Sequence, residues 1–142
     1  METHSNADLI VISIVAKPGA HFAGYDLLQA ITAAKMQFGP MNIFHYYIST
    51  ASKVPLFSLA SITEPGEFDW DRMGDYSCSG LTLFMDLKAV SDPEEAFAIM
   101  VATAEQLADD LEGELCAGQH LPWDEETQRA YENKIMNYSR VC

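Results

Sequence analysis

Gly80-Leu81-Thr82-Leu83-Phe84-Met85 reads as a β-strand with apolar side chains on both of its faces. Successive strand side chains point to opposite faces, so a half-exposed strand alternates apolar and polar residues. Here Leu81, Leu83 and Met85 fill one face and leave Phe84 on the other. Two runs upstream share the property. In Met41-Asn42-Ile43-Phe44-His45-Tyr46-Tyr47-Ile48, Met41 and Ile43 oppose Phe44; in Pro55-Leu56-Phe57-Ser58-Leu59-Ala60-Ser61-Ile62, Ala60 and Ile62 oppose Phe57 and Leu59. Either helices cover both faces of the sheet, or one face is an exposed apolar platform. The choice bears on function, because an exposed apolar patch on a soluble domain marks a partner site.

Outward from these runs, Leu9 to Val15 is rich in β-branched residues and stops at Lys17-Pro18-Gly19, which predicts a first strand. From Gly24 to Phe38, apolar residues at Leu27, Leu28, Ile31, Ala34 and Phe38 follow helical spacing up to Gly39-Pro40. Glu64-Pro65-Gly66-Glu67, in the connection between the last two apolar runs, is a turn signal. A second helix is predicted from Ser91 and Glu94 as a capping box, with Pro93 in the first turn. Its stripe is Phe97, Met100, Val101, Ala104, Leu107, Ala108 and Leu111, and Gly113 closes it. Glu114 to Ala117 is a short strand, followed by a turn at Gly118-Gln119-His120-Leu121 and a strand stub. A third helix starts at Asp124, with Tyr131, Ile135 and Tyr138 on its apolar side.

The order β-α-β-β-β-α-β-α predicts an α+β fold of split β-α-β type, a largely antiparallel sheet of about six strands with three helices on one face. The other face then meets solvent. If Ile10, Ile12 and Ile14 point to the helices, parity sends Leu9, Val11 and Ser13 outward. The same rule sends out Met41, Ile43 and His45, then Ser58, Ala60 and Ile62, then Thr82 and Phe84.

Composition restricts what such a platform can meet. The formal net charge of -13 opposes phosphate, which argues against nucleic acid and against direct contact with an anionic membrane. Cys78, Cys116 and Cys142 are odd in number and form no CxxC pair, which points to a reducing compartment. No apolar run approaches the ~20 residues that span a bilayer, and Met1 to Asn6 lacks the pattern of a signal peptide. The chain is therefore expected to be one soluble domain over residues 8–142, after a disordered segment or linker remnant at 1–7.

Rival chemistries have thinner support. A cysteine-dependent hydrolase would use Cys78, in Tyr76-Ser77-Cys78-Ser79-Gly80, with His45 as base. His4, His21, His45 and His120 lack the spacing of zinc ligands. Glu67, Asp69, Asp71 and Asp75 are acidic but do not follow a calcium-loop pattern. No cofactor and no metal are expected, and the chain is not expected to be an enzyme. A homodimer stacked through the apolar face is the structural alternative to a monomeric receptor.

Several segments taken together resemble the C-terminal domain of the ZipA family, bacterial cell-division proteins that bind the tail of the tubulin-like FtsZ. They are Phe38-Gly39-Pro40-Met41-Asn42-Ile43-Phe44-His45, Leu56-Phe57-Ser58-Leu59-Ala60, Glu64-Pro65-Gly66-Glu67-Phe68-Asp69, Gly80 to Met85 and Ala104-Glu105-Gln106-Leu107-Ala108-Asp109. The likeness runs in unbroken order from about Asp8 to Tyr138. It implies a non-catalytic domain that takes the FtsZ C-terminal tail in a shallow apolar cleft on the helix-free face. The cleft residues it implies are Leu9, Val11, Met41, Ala60, Ile62 and Phe84; Ile43 and Thr82 are added by parity. It also implies an N-terminal membrane helix and a flexible linker ahead of the domain, at the cytoplasmic face of the inner membrane. Glu64 stands beside the cleft where some relatives are expected to carry a basic residue.

Overall fold

The computed structural model describes residues 8–49, 51–64, 66–118 and 121–141, the side chains of 139–141 excepted. The expected segment 1–7 lies outside the described residues, as do Pro65 of the turn signal and Gln119 and His120 of the later turn.

Strand β1 (Leu9–Val15) occupies the span its β-branched run predicts, and it lies inside the sheet. A short β2 (Phe22–Ala23) leads into α1 (Gly24–Ala33). Then come β3 (Gln37–Gly39), β4 (Ile43–Tyr46), β5 (Phe57–Ser61), β6 (Ser77–Cys78) and β7 (Gly80–Asp86). Helix α2 (Pro93–Leu111), β8 (Glu114–Ala117), β9 (Leu121–Pro122) and α3 (Glu125–Val141) complete the order. The main sheet has seven strands, all pairs antiparallel, in the order β3-β4-β5-β7-β1-β8-β9; β2 and β6 form a separate two-stranded ribbon. The α+β class and antiparallel sheet are as expected, with β3 raising the strand count above six.

The parity of the central strands holds. Ile10, Ile12, Ile14, Leu81, Leu83, Met85, Phe57 and Leu59 are buried in one core with Leu27 and Ile31 of α1, Phe97, Met100, Ala104 and Leu107 of α2, and Ile135 of α3. Burying an aliphatic or aromatic side chain is worth roughly 1.5–3 kcal/mol, so this layer is a large contribution to the drive to fold. Gly24 opens α1 where backbone touches backbone: its N–H donates to the Tyr76 carbonyl at 2.8 Å. A Cβ there would sit 1.7 Å from the carbonyl oxygen of Met73.

The strands of the runs Met41–Ile48 and Pro55–Ile62 shorten to Ile43–Tyr46 and Phe57–Ser61, and other local features depart from the sequence reading. The helix expected over Gly24 to Phe38 ends at Ala33, because Lys35 turns left-handed (φ 66°) and redirects Phe38 into β3. The strand expected from Met41 begins at Ile43; Met41 and Asn42 instead form a tight turn between β3 and β4. The cap of α2 is Asp92, not Ser91, since the Asp92 carboxylate accepts the Glu95 N–H at 3.2 Å. At its other end the left-handed residue is Glu112 (φ 57°), one before Gly113.

Helix α3 starts as expected: Asp124 Oδ1 accepts the Thr127 N–H at 2.8 Å, and that bond holds the carboxyl below its ordinary range. The helix then serves the sheet edge. Among the described residues, β8 pairs with Ile12–Val15 and the lower half of β1 has no strand partner on that side. There Tyr131 O–H donates to the Val11 carbonyl at 3.0 Å, and Lys134 Nζ donates to the Leu9 carbonyl at 3.2 Å. Desolvation raises the Tyr131 phenol and keeps it a donor.

Candidate functional site

On the helix-free face the register lines side chains up across strands. One row runs His45, Ser58, Phe84, Val11, and the next Ala60, Thr82, Ser13, Cys116. Ile62 lies one step further, where its N–H donates to the Gly80 carbonyl at 3.0 Å. Its side chain covers Gly80, since a Cβ on that glycine would come 2.6 Å from Ile62 Cδ1. The middle row holds only small side chains between Phe84 and Val11 on one flank and Ile62 on the other. The face is therefore a shallow trough with an apolar wall on each side. It lacks the enclosure of a small-molecule pocket and suits a chain segment laid across it.

The trough ends near the β3–β4 turn. Met41 (φ 66°, ψ 11°) and Asn42 (φ 60°) are consecutive left-handed residues, close to the geometry of a primed hairpin turn. Asn tolerates that region; for Met it costs roughly 1–2 kcal/mol. Hydrogen bonds hold the turn in place. His45 Nε2 is 2.9 Å from the Pro40 carbonyl and Nδ1 is 2.8 Å from Ser58 Oγ. A carbonyl only accepts, so Nε2 carries the proton, and in the neutral ring Nδ1 accepts from the serine hydroxyl. On the far side the Phe68 N–H donates to the Asn42 carbonyl at 2.9 Å and Asn42 Nδ2 to Glu67 Oε1 at 3.3 Å.

Leu9, Val11, Ala60, Ile62, Thr82 and Phe84 are half-buried, and Met41 is 75% exposed. Ile43 is only 5% exposed, so it offers little surface. Met41 is exposed because of the turn and not because of strand parity, since β4 has not begun there. Ser13 has no exposed area, and its hydroxyl has no hydrogen-bond partner among the described residues. Ionisable groups stand at the margins: Asp86 opposite Leu9, Glu114 opposite Val15, and Glu64 in the loop beyond Ile62.

The rival sites do not assemble. Cys78 is buried in the β2–β6 ribbon, where burial pushes its thiol up and its polar side-chain neighbours are Ser61 and Tyr76. A thiol held protonated is a poor nucleophile, and His45 spends both ring nitrogens on Ser58 and Pro40. Among the described residues, no three His, Cys, Asp or Glu side chains group to hold a metal ion. Arg72 lies 4.0 Å from Asp75 in an exposed pair within the acidic loop.

Comparison with known proteins places this geometry in a family. The family model described as "ZipA, C-terminal FtsZ-binding domain" matches residues 8–134. The chain belongs to the ZipA C-terminal domain family. It is 41% identical over 130 residues to the cell division protein ZipA of Shewanella frigidimarina, covering 90% of this chain and 37% of that protein. The ZipA of Shewanella loihica is also 41% identical over 130 residues (90% and 38%), and that of Shewanella oneidensis 39% (90% and 38%). The chain thus spans less than two-fifths of the length of these curated relatives. Among the described residues no helix is long and apolar enough to cross a membrane.

Within this ZipA-type domain, sequence reasoning missed the role of His45 and Ser58, which parity put on the face but which are buried and bonded to each other. Four-residue β4 is too short for a pattern to separate its polar members from its surface. The one available signal was composition: a histidine inside an apolar strand has to find partners.

Proposed function

We propose that this domain binds the C-terminal tail of FtsZ across the trough and takes no part in catalysis, so that the longer protein links the division ring to the inner membrane from its cytoplasmic side. Membership of the ZipA family supports the partner. The observation that carries the site is an apolar trough, walled by Phe84 and Ile62, on the sheet face that no helix covers among the described residues. Phe84, Ile62 and Met41 are the anchors. Leu9, Val11, Ala60 and Thr82 line the trough between and beside them, and Ile43 adds little surface. No cofactor is required, and the domain acts as a monomer with this face free for the peptide. Membrane attachment belongs to the rest of the longer protein, and the acidic domain itself stays off the lipid.

A groove this open concentrates its energy in few side chains, so association entropy leaves an affinity of roughly micromolar. Titration of a synthetic FtsZ C-terminal peptide into the isotope-labelled domain should shift resonances of Val11, Ala60, Ile62, Thr82 and Phe84. Phe84→Ala should lower affinity by about 2 kcal/mol or more, below detection, while the melting temperature changes little. A peptide that binds Phe84→Ala as it binds the parent would move the site elsewhere. A folded domain that sediments as a dimer and releases no monomer on peptide addition would replace the receptor with a face-to-face dimer.

A further inference from the structure

We infer that His45 is a positioning residue for the peptide groove, holding the Met41–Asn42 turn through its bond to the Pro40 carbonyl and so setting where the Met41 side chain stands. This rests on the peptide-binding reading above and adds the device that fixes one of its anchors. A primed turn that only reverses the chain is filled by Asn or Gly at both central positions. This one spends its first position on Met41, a long apolar side chain that is 75% exposed and forms no part of the core. Strain retained at an exposed apolar residue persists only where the surroundings over-determine it.

Those surroundings are specific. The imidazole is 6% exposed, donates from Nε2 to the Pro40 carbonyl at 2.9 Å, and has its other nitrogen fixed by Ser58 Oγ at 2.8 Å. Ser58 is itself the cross-strand neighbour of Phe84, so the relay ties the Met41 turn to the strand pair bearing the central aromatic. Methionine has three rotatable bonds, and an anchor on a loose turn would have to be ordered when the peptide arrives. Holding the turn beforehand removes the backbone share of that cost.

The test uses the 142-residue chain with 13C-methyl methionine, a synthetic FtsZ C-terminal peptide, and the variants His45→Asn, His45→Gln and Met41→Ala. The Gln amide reaches as far as Nε2 and can donate to Pro40; the Asn amide reaches only toward Ser58. His45→Asn should weaken peptide binding about tenfold and move the Met41 methyl resonance of the free domain toward its unstructured position, whereas His45→Gln should restore both to within about threefold and most of the shift. Combining His45→Asn with Met41→Ala should bind no more than about twofold worse than Met41→Ala alone, because the tie acts through Met41. Folded His45→Asn with an unchanged methyl resonance and affinity overturns the proposal. So do losses that multiply in the double variant, since these mark a merely structural histidine. If His45→Asn fails to fold, Ser58→Ala releases the other ring nitrogen and leaves the turn sequence intact: a shifted methyl and weaker binding support the proposal, and no change overturns it. Should the parent domain not bind the peptide, the peptide-binding reading fails by itself, and the methyl resonance of the free variants still decides the role of His45.

Discussion

Ser13 is the residue at which the face is least settled energetically. It occupies an outward parity position on β1, between Thr82 and Cys116, yet it is fully covered and its hydroxyl has no partner among the described residues. A buried hydroxyl without a partner costs about 1–3 kcal/mol, more than most single hydrogen bonds return. Alanine differs from serine by that one oxygen, so no cavity of consequence follows its removal. Ser13→Ala should therefore stabilise the free domain by about 1 kcal/mol, read as a raised urea midpoint at unchanged slope. A lowered midpoint would show that the hydroxyl finds a donor or acceptor in solution. Beside it, Cys116 is half-buried, and burial, followed by the charge of Glu114, pushes its thiol up.

Among the elements, α3 shows how a short strand shapes what lies next to it. Because β8 stops pairing at Ile12, two carbonyls of β1 reach past the sheet, and the helix supplies Tyr131 and Lys134 to meet them. Tyr131→Phe keeps the ring against Phe97 and Trp123 and removes only the donor. It should destabilise the domain by about 1 kcal/mol and speed amide exchange along α3; an unchanged denaturation midpoint would mean that water replaces the phenol at no cost. The third helix was legible in the sequence, down to its Asp124 cap, and so were β1 and β7 and the outward parity of Val11, Thr82 and Phe84. Each is a run long enough for its period to declare itself. The β3–β4 hairpin was not legible. Phe38 continues the helical spacing of Leu27 and Ile31, and Met41 continues the alternation of Ile43 and His45, so pattern alone extends both elements across a reversal made by left-handed Lys35, Met41 and Asn42. Nothing in side-chain chemistry announces positive φ at Lys or Met. The anchor proposed at Met41 thus rests on resemblance, and parity pointed outward there for a reason that the backbone does not use.

At the scale of the whole molecule, the net charge of -13 and the apolar trough pull toward different expectations for binding. A field of that sign steers basic peptides in and acidic ones away, and its reach shrinks to about 8 Å at physiological ionic strength. Apolar burial is insensitive to screening, because it arises from the hydration of surface removed from water. Among the described residues the trough carries no ion pair: Asp86, Glu114 and Glu64 stand around it, Lys134 is bonded to the Leu9 carbonyl, and the nearby Lys88 lies 3.5 Å from Asp8. Charge at the rim of an interface acts mainly on the association rate and contributes little to the bound state. The affinity for an FtsZ C-terminal peptide should accordingly change less than about tenfold between low and physiological salt, or 1.4 kcal/mol, with most of that change in the association rate. Stopped-flow titrations across that range separate the two rates. A larger loss of affinity, carried by faster dissociation, would mean that charge pairs and not Phe84, Ile62 and Met41 hold the peptide.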